Sequence, residues 1–307
     1  MKVIFFGTPH FSASVLRYLL EHGIKIVSVV TRPDKPKGRS NKLISTPVKE
    51  VAIEHGLPVY QPEKASSSEF ANVLPPYEAD LFVVVAYGEI VKEHILGMPR
   101  LGCINLHTSL LPKYRGAAPI QRAIMNGEKE TGVSIMYMVK KMDAGDIIQT
   151  QSLVIDENET FGELEERLCQ KGAEMLLQTI RKFENGPVEG MPQNDDEATF
   201  APKVELEDCE IDWTMPARRI HDLVRGSQPY PGAWCWVDVK GEKKRMKLIK
   251  SVLGASVNSV PRKIIAVNEE GVEIGCGEGS VKIQKLQLEG KKAMAPVELF
   301  RGTEVVF

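Results

Sequence analysis

The sequence predicts an α/β protein with a Rossmann-like, mostly parallel sheet in an N-terminal domain and a C-terminal all-β domain with an OB-like barrel. Up to about residue 194, apolar runs alternate with glycine-containing turns and helix-period segments, which is typical of β-α-β units. After Ile211 the chain changes to short apolar strands spaced by glycine and proline. A chain of 307 residues is long enough for two such domains.

The first predicted elements alternate between strand and helix. Residues 3–6 (VIFF) predict the first strand, 24–30 (IKIVSVV) the second, and 81–87 (LFVVVAY) a buried strand further along the chain. Between the first two strands, residues 12–22 have helical periodicity, and Gly23 ends that helix. A helix between two strands allows them to lie parallel in one sheet.

Two more strands and a long helix complete the N-terminal domain. Residues 102–107 (GCINLH) predict another buried strand, whereas 130–139 (ETGVSIMYMV) alternate like a strand exposed on one face. The segment 160–185 predicts a long helix, in which Thr160 and Glu163 form a capping box at the start and a glycine–proline pair marks the end.

A change in composition marks the domain boundary. The stretch MPQNDDEATFAPK loses all periodicity and collects proline, asparagine and aspartate. We therefore predict an N-terminal domain over residues 1–189, a linker over 190–206 and a β-barrel domain over 207–307. The predicted barrel has about five strands, with the sequences AWCWVDV, MKLIKSVL, KIIAVN, VEIGCG and VKIQKLQL.

Composition and simple motifs exclude several classes of protein. Apolar residues make up 43% and charged residues 26%, with a net charge of −2, so overall charge predicts no polyanionic partner. The longest apolar run, 81–87, is far shorter than the roughly 20 residues of a membrane span, and the N-terminal apolar stretch is too short for a secretory signal. We therefore expect a cytoplasmic protein that does not bind membranes.

Cysteines and glycines argue against a metal or a dinucleotide. The five cysteines are odd in number and scattered, with no CxxC pair and no histidine at ligand spacing, so we interpret them as reduced packing residues and predict no metal site. The turn FFGTP after the first strand contains a single glycine, and no GxGxxG follows. A dinucleotide cofactor is therefore not expected.

The strongest candidate site lies where residues 102–107 meet the following loop. Asn105 and His107 are two residues apart, so in a strand they share one face. At the carboxyl end of a parallel sheet this face opens into the crevice where such proteins bind ligands. An isolated Asn-x-His pair more often satisfies local backbone groups, so the interpretation depends on the neighbouring residues.

A third polar residue, Asp143, follows the predicted strand 130–139 in a glycine-containing loop (KKMDAGDII) that could return to the same sheet edge. An aspartate before glycine is often only a turn residue. Together, however, an amide, an imidazole and a carboxylate supply an oxyanion donor, an acid or base near neutral pH, and a group that orients the imidazole. Because no serine or cysteine lies in a nucleophile-elbow sequence, direct transfer to an incoming nucleophile is favoured over a covalent intermediate.

These residues belong to a longer pattern. The pattern consists of seven motifs: INLHTSLLPKYRGAAPIQRAI, the later MDAGD, FFGTP at the start, TRPDKPKGRSNKL, VVVAYGEI, EIDW and LEGKKAM. With them the chain resembles the folate-dependent formyltransferases over nearly its whole length, and most closely those members that act on methionyl initiator tRNA. The resemblance implies transfer of a formyl group from 10-formyltetrahydrofolate to that tRNA, as a monomer and without a metal.

The resemblance also implies roles for individual residues. Asn105, His107 and Asp143 match the catalytic residues of the family. The segment Ser109, Leu110, Leu111 and Pro112 is expected to lie along the 10-formyltetrahydrofolate site, together with Tyr87, Gly88 and Ile90.

The basic loop RPDKPKGRSNKL is expected to contact RNA. Such a run of basic residues, prolines and glycine is usually a solvated surface loop, but the family has an insertion here that enters the end of the acceptor stem, and its arginine matches Arg39. We predict that Arg39, Lys37 and Lys42 bind tRNA. In the second domain EKKRMKLIK alternates basic and apolar residues, which adds Lys244 and Lys247 to the predicted RNA contacts.

Two alternatives stay open. A formyltransferase acting on glycinamide ribonucleotide or an amino sugar would use the same three catalytic residues, although neither is expected to carry the Arg39 loop. A non-catalytic RNA-binding relative would keep the fold, but the presence of all three polar side chains argues against it. An assay of formyl transfer distinguishes these classes.

Overall fold

The structure, a computed structural model, describes residues 1–37, 42–74 and 79–307. These residues divide into two compact units. Unit 1 contains Met1–Gly116, Gly132–Leu153 and Glu165–Phe200. Unit 2 contains Ala117–Thr131, Val154–Leu164 and Ala201–Phe307.

A mostly parallel sheet forms the centre of unit 1. The first nine strands of the chain are β1 (Val3–Gly7), β2 (Ile26–Val30), β3 (Lys35–Lys37), β4 (Lys42–Ile44), β5 (Val59–Tyr60), β6 (Leu81–Val85), β7 (Cys103–His107), β8 (Glu130–Tyr137) and β9 (Ile147–Val154). Seven of them form one sheet in the order β5-β2-β1-β6-β7-β8-β9, while β3 and β4 pair separately. The strands from β5 to β7 are parallel, and β8 runs antiparallel to β7. The predicted Rossmann-like, mostly parallel sheet is thus confirmed.

Helices connect these strands. They are α1 (His10–Glu21), α2 (Pro47–Glu54), α3 (Ser68–Val73), α4 (Glu93–Leu96), α5 (Pro119–Met125) and α6 (Phe161–Phe183). The predicted capping box of α6 is confirmed, because the Glu163 carboxylate accepts from the Thr160 amide at 2.8 Å and the Thr160 hydroxyl accepts from the Glu163 amide at 3.3 Å.

The prediction of a strand exposed on one face at 130–139 is wrong. Strand β8 is buried at every position from residue 131 to 136. Both faces of β8 are covered, and on the face of Gly132 the Leu110 side chain lies so close that an added Cβ would come within 2.5 Å of it. The alternating pattern came from Glu130, Gly132 and Ser134 on one face, of which Gly132 and Ser134 are buried.

Unit 2 is built on an antiparallel sheet. Its strands are β10 (Trp234–Val239), β11 (Glu242–Leu253), β12 (Ile264–Asn268), β13 (Gly271–Gly275), β14 (Ser280–Leu288) and β15 (Val305–Val306), and its helices include α7 (Ala217–Gly226) and α8 (Pro296–Phe300). The sheet order is β12-β13-β14-β11-β10-β15. The five longer strands match the five predicted, which confirms an all-β second domain.

Helix α7 packs closely against α5 within unit 2. A Cβ added at Gly226 would come within 2.9 Å of the Met125 side chain and 3.1 Å of that of Ile124, so only glycine fits between the helices without a shift. On the same helix His221 is fully buried, with one ring nitrogen 2.9 Å from the Ser251 hydroxyl and the other 3.2 Å from the Glu157 carbonyl. Burial lowers the pKa of His221. His221 therefore serves the fold of unit 2.

An ion pair inside α7 allows a test of how unit 2 is stabilised. Asp222 and Arg225 are both buried, with the Asp222 carboxylate accepting from Arg225 Nε at 2.8 Å. Asp222→Ala leaves the guanidinium buried without its counter-charge, so we expect the free energy of unfolding to fall by about 3–5 kcal/mol. Denaturant unfolding measures it. Glu54→Ala, which removes an ion pair that is exposed on both sides, is the control and should change little.

Two further findings concern the whole described chain. Among the described residues, no helix is both long enough and apolar enough to cross a membrane. All five cysteines are free thiols, and four of them are buried: Cys103, Cys209, Cys235 and Cys276. The burial of these four agrees with their interpretation as packing residues, whereas Cys169 is half-buried, and the reduced state of the cysteines stays a prediction.

Candidate active site

Asn105 and His107 lie at the carboxyl end of β7, as predicted, on one face of the strand. In the sheet Asn105 lies opposite Val84 of β6 on one side and Met136 of β8 on the other. His107 is buried and Asn105 is half-buried. The central position of β7 thus fixes the backbone beneath both polar side chains.

The backbone carbonyl of Tyr114 sets the tautomer of His107. His107 Nε2 lies 2.9 Å from the Tyr114 oxygen. A carbonyl oxygen only accepts, so Nε2 must carry a hydrogen and donate it. The other ring nitrogen, Nδ1, is left free for chemistry, and it lies 3.8 Å from Asp143 Oδ2. Asp143, the third predicted residue, therefore lies near the imidazole but beyond the distance of a direct hydrogen bond.

Asp143 is held in the loop between β8 and β9. Its carboxylate Oδ2 accepts a hydrogen bond of 2.8 Å from the Gly116 amide. Its φ of 50° lies in the left-handed region, which is rare for a residue other than glycine and is a form of strain common at functional sites. Asn105, His107 and Asp143 all belong to unit 1, so one unit contains the complete predicted triad.

A glycine two residues after Asp143 allows a test of this geometry. A Cβ at Gly145 would lie 1.9 Å from the Tyr137 carbonyl oxygen, a backbone atom that cannot rotate away. Gly145→Ala must therefore shift the loop and with it Asp143. We expect kcat to fall by about 100-fold, because a displacement of roughly 1 Å has that effect on positioned groups. Steady-state kinetics measure it, and Gly302→Ala, where a Cβ meets nothing within 4 Å, is the control.

The loop from Ser109 to Pro112 is folded by two serine hydroxyls. Ser109 Oγ donates to the Lys113 carbonyl at 2.6 Å, and Ser134 Oγ donates to the Ser109 carbonyl at 2.7 Å. Ser109 and Leu111 are buried, whereas Leu110 and Pro112 are half-buried and can present surface to a ligand. The Ser109 hydroxyl thus shapes the loop, and the role of the segment in folate binding stays a prediction.

The second predicted folate segment follows β6. Thr8 Oγ1 donates to the Tyr87 carbonyl at 2.7 Å, which ties this segment to the turn after β1. The Tyr87 ring is buried, and its burial, together with the nearby Glu89 charge, raises the pKa of its hydroxyl. Gly88 has a φ of 85° and is exposed, and the Ile90 side chain is 81% exposed. The parts of this segment that a ligand can reach are therefore the backbone of Gly88 and the side chain of Ile90.

The predicted RNA contacts are distributed as follows. Arg39 lies outside the described residues. Lys37 and Lys42 face each other in the register of β3 and β4, and only their backbone is described. Lys244 and Lys247 differ by three positions in β11, so they point to opposite faces of the strand, and Lys244 pairs with a neighbouring carboxylate at 2.8 Å. The two lysines do not form one basic stripe.

Two residues near the triad were missed in the sequence. Arg115 is only 1% exposed, and its guanidinium donates to Gln193 Oε1 from Nε at 3.1 Å and from Nη2 at 2.7 Å. Gln193 in turn donates to the carbonyls of Asp143 and Gly145. An arginine between Tyr114 and a glycine could have been noticed, but no sequence signal points to a glutamine 78 positions away.

The predicted linker, residues 190–206, contributes to this region. Thr199 accepts from the Tyr114 amide through its hydroxyl at 2.8 Å and from the Arg115 amide through its carbonyl at 2.9 Å. Within this segment, residues 190–200 belong to unit 1 and residues 201–206 to unit 2. The predicted boundaries of the domains stay predictions. No group of three or more His, Cys, Asp or Glu side chains among the described residues is arranged to hold a metal ion.

Comparison with known families gives two matches that together span most of the chain. A family model described as "Formyl transferase" matches residues 1–180. A second, described as "Formyl transferase, C-terminal domain", matches residues 203–304. The predicted triad of Asn105, His107 and Asp143 lies inside the first match.

Curated proteins similar over nearly the full chain carry one name. A protein of Protochlamydia amoebophila (strain UWE25) named "Methionyl-tRNA formyltransferase" is 54% identical over 302 residues, which are 98% of this chain and 95% of that protein. A protein of Thermotoga neapolitana with the same name is 44% identical over the same shares of both chains.

Solved structures share the fold at low identity. HypX from Aquifex aeolicus, solved with tetrahydrofolic acid, has a TM-score of 0.68 at 18% identity, and the match covers 98% of this chain but only 47% of HypX. WlaRD, a sugar 3N-formyl transferase solved with dTDP and 5-N-formyl-THF, has a TM-score of 0.68 at 19% identity and matches 95% of this chain and 99% of its own.

Proposed function

This chain belongs to the formyl transferase family, and from that membership we propose that it transfers the formyl group of 10-formyltetrahydrofolate to the α-amino group of methionyl initiator tRNA. The product is formylmethionyl-tRNA for the initiation of translation. Identity of 54% along nearly the whole chain to a protein named for this reaction is the observation on which the proposal rests. The triad of Asn105, His107 and Asp143 supplies groups that suit it.

The reaction forms one bond and breaks one. The amine nitrogen attacks the formyl carbon, the carbonyl oxygen becomes an oxyanion, and the intermediate collapses when the carbon–nitrogen bond to the folate breaks. One proton leaves the amine and one arrives on the departing folate nitrogen, so the protons balance. An α-amine has a reference pKa of about 7.7–8.0, so obtaining its neutral form near pH 7 costs about 1 kcal/mol or less. Stabilising the oxyanion is the larger task, since a single donor contributes about 2.7–4 kcal/mol.

Each residue of the triad has a distinct role in the proposal. Asn105 donates from its amide to the developing oxyanion. Neutral His107 keeps its hydrogen on Nε2, bonded to the Tyr114 carbonyl, so it donates to the same oxygen only as the imidazolium, from Nδ1, and takes that proton back when the intermediate collapses. Asp143, 3.8 Å from Nδ1, balances the imidazolium charge. It accepts the amine proton through a water and returns it by the same route to the departing folate nitrogen. The tautomer of His107 is thus set by the backbone rather than by Asp143.

The substrate sites follow the sequence prediction. In the proposal the folate lies along residues 109–112 and against the exposed backbone of Gly88 and the side chain of Ile90. The tRNA is bound by the loop that contains Arg39 and by the domain predicted over 207–307, to which Lys244 and Lys247 belong. The protein acts as a monomer in the cytoplasm, where initiator tRNA is charged.

The loop around Arg39 gives a prediction about tRNA alone. Arg39→Ala removes a cation that would pair with an RNA phosphate, and a charge-assisted hydrogen bond contributes about 1.5–3 kcal/mol. We expect kcat/KM for methionyl initiator tRNA to fall about tenfold or more, with KM for 10-formyltetrahydrofolate unchanged. Initial rates with each substrate varied in turn measure this. Lys25→Ala, at an exposed position, is the control. If wild type and Arg39→Ala both formylated initiator and elongator aminoacyl-tRNAs at equal rates, this would count against the role of the loop.

A choice among acceptors tests the proposed function. The purified chain is given 10-formyltetrahydrofolate with methionyl initiator tRNA, glycinamide ribonucleotide or a dTDP-linked amino sugar, and the formylated product is quantified. We expect turnover with the tRNA only. Turnover on either small amine but not on the tRNA would replace this function by one of the two alternatives, and no turnover on any acceptor would favour a non-catalytic relative.

A further inference from the structure

The loop that carries Asp143 is held from behind by a single glutamine. Gln193 Nε2 donates two hydrogen bonds, of 2.9 Å to the Asp143 carbonyl and of 2.7 Å to the Gly145 carbonyl. A primary amide nitrogen has two hydrogens, so both are used on this loop. One side chain thus fixes the backbone on either side of Ala144.

Arg115 fixes which way that glutamine points. Its guanidinium donates twice to Gln193 Oε1. Because arginine only donates, the oxygen of the amide must face Arg115 and the nitrogen must face the loop. The third contact of Arg115, from Nη1 to Asp195 Oδ1 at 2.8 Å, balances its charge, and the hydrogen bonds from Lys141 and Arg115 lower the pKa of Asp195. The guanidinium is therefore buried with its donors directed at defined acceptors.

The backbone on both sides of Arg115 contacts the triad directly. The Tyr114 carbonyl accepts the hydrogen of His107 Nε2, and the Gly116 amide donates to Asp143 Oδ2. The main chain of residues 114–116 therefore touches the imidazole and the carboxylate, while the Arg115 side chain reaches the Asp143 loop through Gln193. Both routes end at the same pair of catalytic side chains.

The conformation of Asp143 explains why such support is needed. A φ of 50° is unfavourable for aspartate, and a residue holds such a conformation only when the surrounding contacts determine it. Without the two bonds from Gln193, the carbonyls of Asp143 and Gly145 lose their shared donor, and the peptide planes are free to turn. The carboxylate would then move relative to His107.

We propose that Arg115 and Gln193 are positioning residues, which set the Asp143 carboxylate against Nδ1 of His107 through hydrogen bonds to the backbone of the Asp143 loop. In this proposal both residues act through the loop rather than by contact with a substrate. This inference rests on the proposed function, because the effect of the two residues is measured as a rate of formyl transfer.

Two substitutions at Gln193 test it. Gln193→Glu keeps an oxygen for Arg115 but has no hydrogen for the two carbonyls, so the buried guanidinium stays paired. Gln193→Leu removes both sets of bonds. We expect kcat to fall about 10- to 100-fold in each, as for other misplaced catalytic groups, with KM for both substrates within about threefold of wild type. Thermal melting reports the folded fraction, and if Gln193→Leu does not fold, Gln193→Glu decides.

A neighbouring residue gives a matched control. Asn194 is exposed, and its side-chain hydrogen bonds to described residues stay within the same turn, with the Asp196 amide and the Glu197 carboxylate. Asn194→Ala therefore loosens the segment without touching the Asp143 loop, and we expect native kcat. An equal loss of kcat in Asn194→Ala would assign the effect to the segment as a whole and overturn the role of Gln193.

A double variant separates positioning from stability. If Gln193 acts through the Asp143 carboxylate, then in an Asp143→Asn background Gln193→Glu should lower kcat by less than about twofold, because the group that it positions is already lost. A full 10- to 100-fold loss in that background would overturn the proposal, as would native kcat in Gln193→Glu. If wild type does not formylate methionyl initiator tRNA, the proposed function fails and this inference fails with it; an active wild type with a fully active Gln193→Glu overturns the inference alone.

Discussion

Replacing Asn105 by alanine is expected to lower kcat for formyl transfer by about 10²–10³-fold, the loss that follows removal of one oxyanion donor. Asn105 lies in β7, an interior strand of the sheet, so the backbone that carries its amide is fixed before the substrate binds. Since a transition-state contact is removed, kcat and kcat/KM should fall together while KM changes little. Steady-state kinetics with methionyl initiator tRNA measure both constants.

The control for Asn105 is an asparagine with no link to the site. Asn158 is exposed in a loop of unit 2, and Asn158→Ala should leave kcat unchanged. If Asn105→Ala formylated the tRNA at a near-native rate, the oxyanion role would have to be assigned to another group.

The second large effect is expected at His107 and Asp143. His107→Ala removes the proton donor at Nδ1, and Asp143→Asn keeps the shape of the carboxylate but removes its charge 3.8 Å away. We expect kcat to fall about 10²–10⁴-fold in each, the usual contribution of general acid–base catalysis. Because Nε2 of His107 is bonded to the Tyr114 carbonyl, a substitution that restores only that bond should not restore activity.

The substitution His107→Gln distinguishes the role of Nε2 of the imidazole from the role of Nδ1. His107→Gln can donate from its amide to the Tyr114 carbonyl but cannot carry a proton between acid and base forms. Its kcat should therefore be as low as that of His107→Ala. Recovery to within tenfold of wild type would show that the bond to Tyr114, rather than chemistry at Nδ1, is what His107 contributes.

The sequence was sufficient for the parts of the site that depend on local geometry. Alternation along a strand places Asn105 and His107 on one face, and the rule that parallel sheets bind ligands at their carboxyl ends selects the correct end. Both steps use only the spacing of residues near one another in the chain. The position of Asp143 did not follow in this way, because β8 runs antiparallel to β7 and its last residue, Tyr137, lies opposite Ile104. The loop after β8 has to bring Asp143 back to His107.

The rest depends on contacts between distant residues. The bond from Arg115 to Gln193 joins positions 78 apart, and neither residue type is specific for a structural role. The tautomer of His107 depends on a backbone carbonyl, which any amino acid at position 114 would provide. Similarly, the burial of β8 follows from the side chains that cover its two faces rather than from its own pattern.

Unit 2 shows a similar limit. Its five longer strands could be predicted from apolar runs and turns, yet the structure also assigns to it residues 117–131 and 154–164, which occur before the predicted boundary. The contact between Gly226 of α7 and Ile124 of α5 is one reason. The sequence of α5 does not indicate which partner its apolar face will meet.

One measurement decides whether these side chains act as one catalytic unit: the single-turnover rate of formylation of methionyl initiator tRNA. It is compared between wild type, the single variants Asn105→Ala, His107→Ala and Asp143→Asn, and the triple variant. Groups that act together are strongly non-additive. We predict that each single change slows the reaction by about 100-fold or more and that the triple variant is no slower than about tenfold below the slowest single one. Losses that multiply across the three sites, or a single variant at a near-native rate, would contradict a shared active site built from these residues.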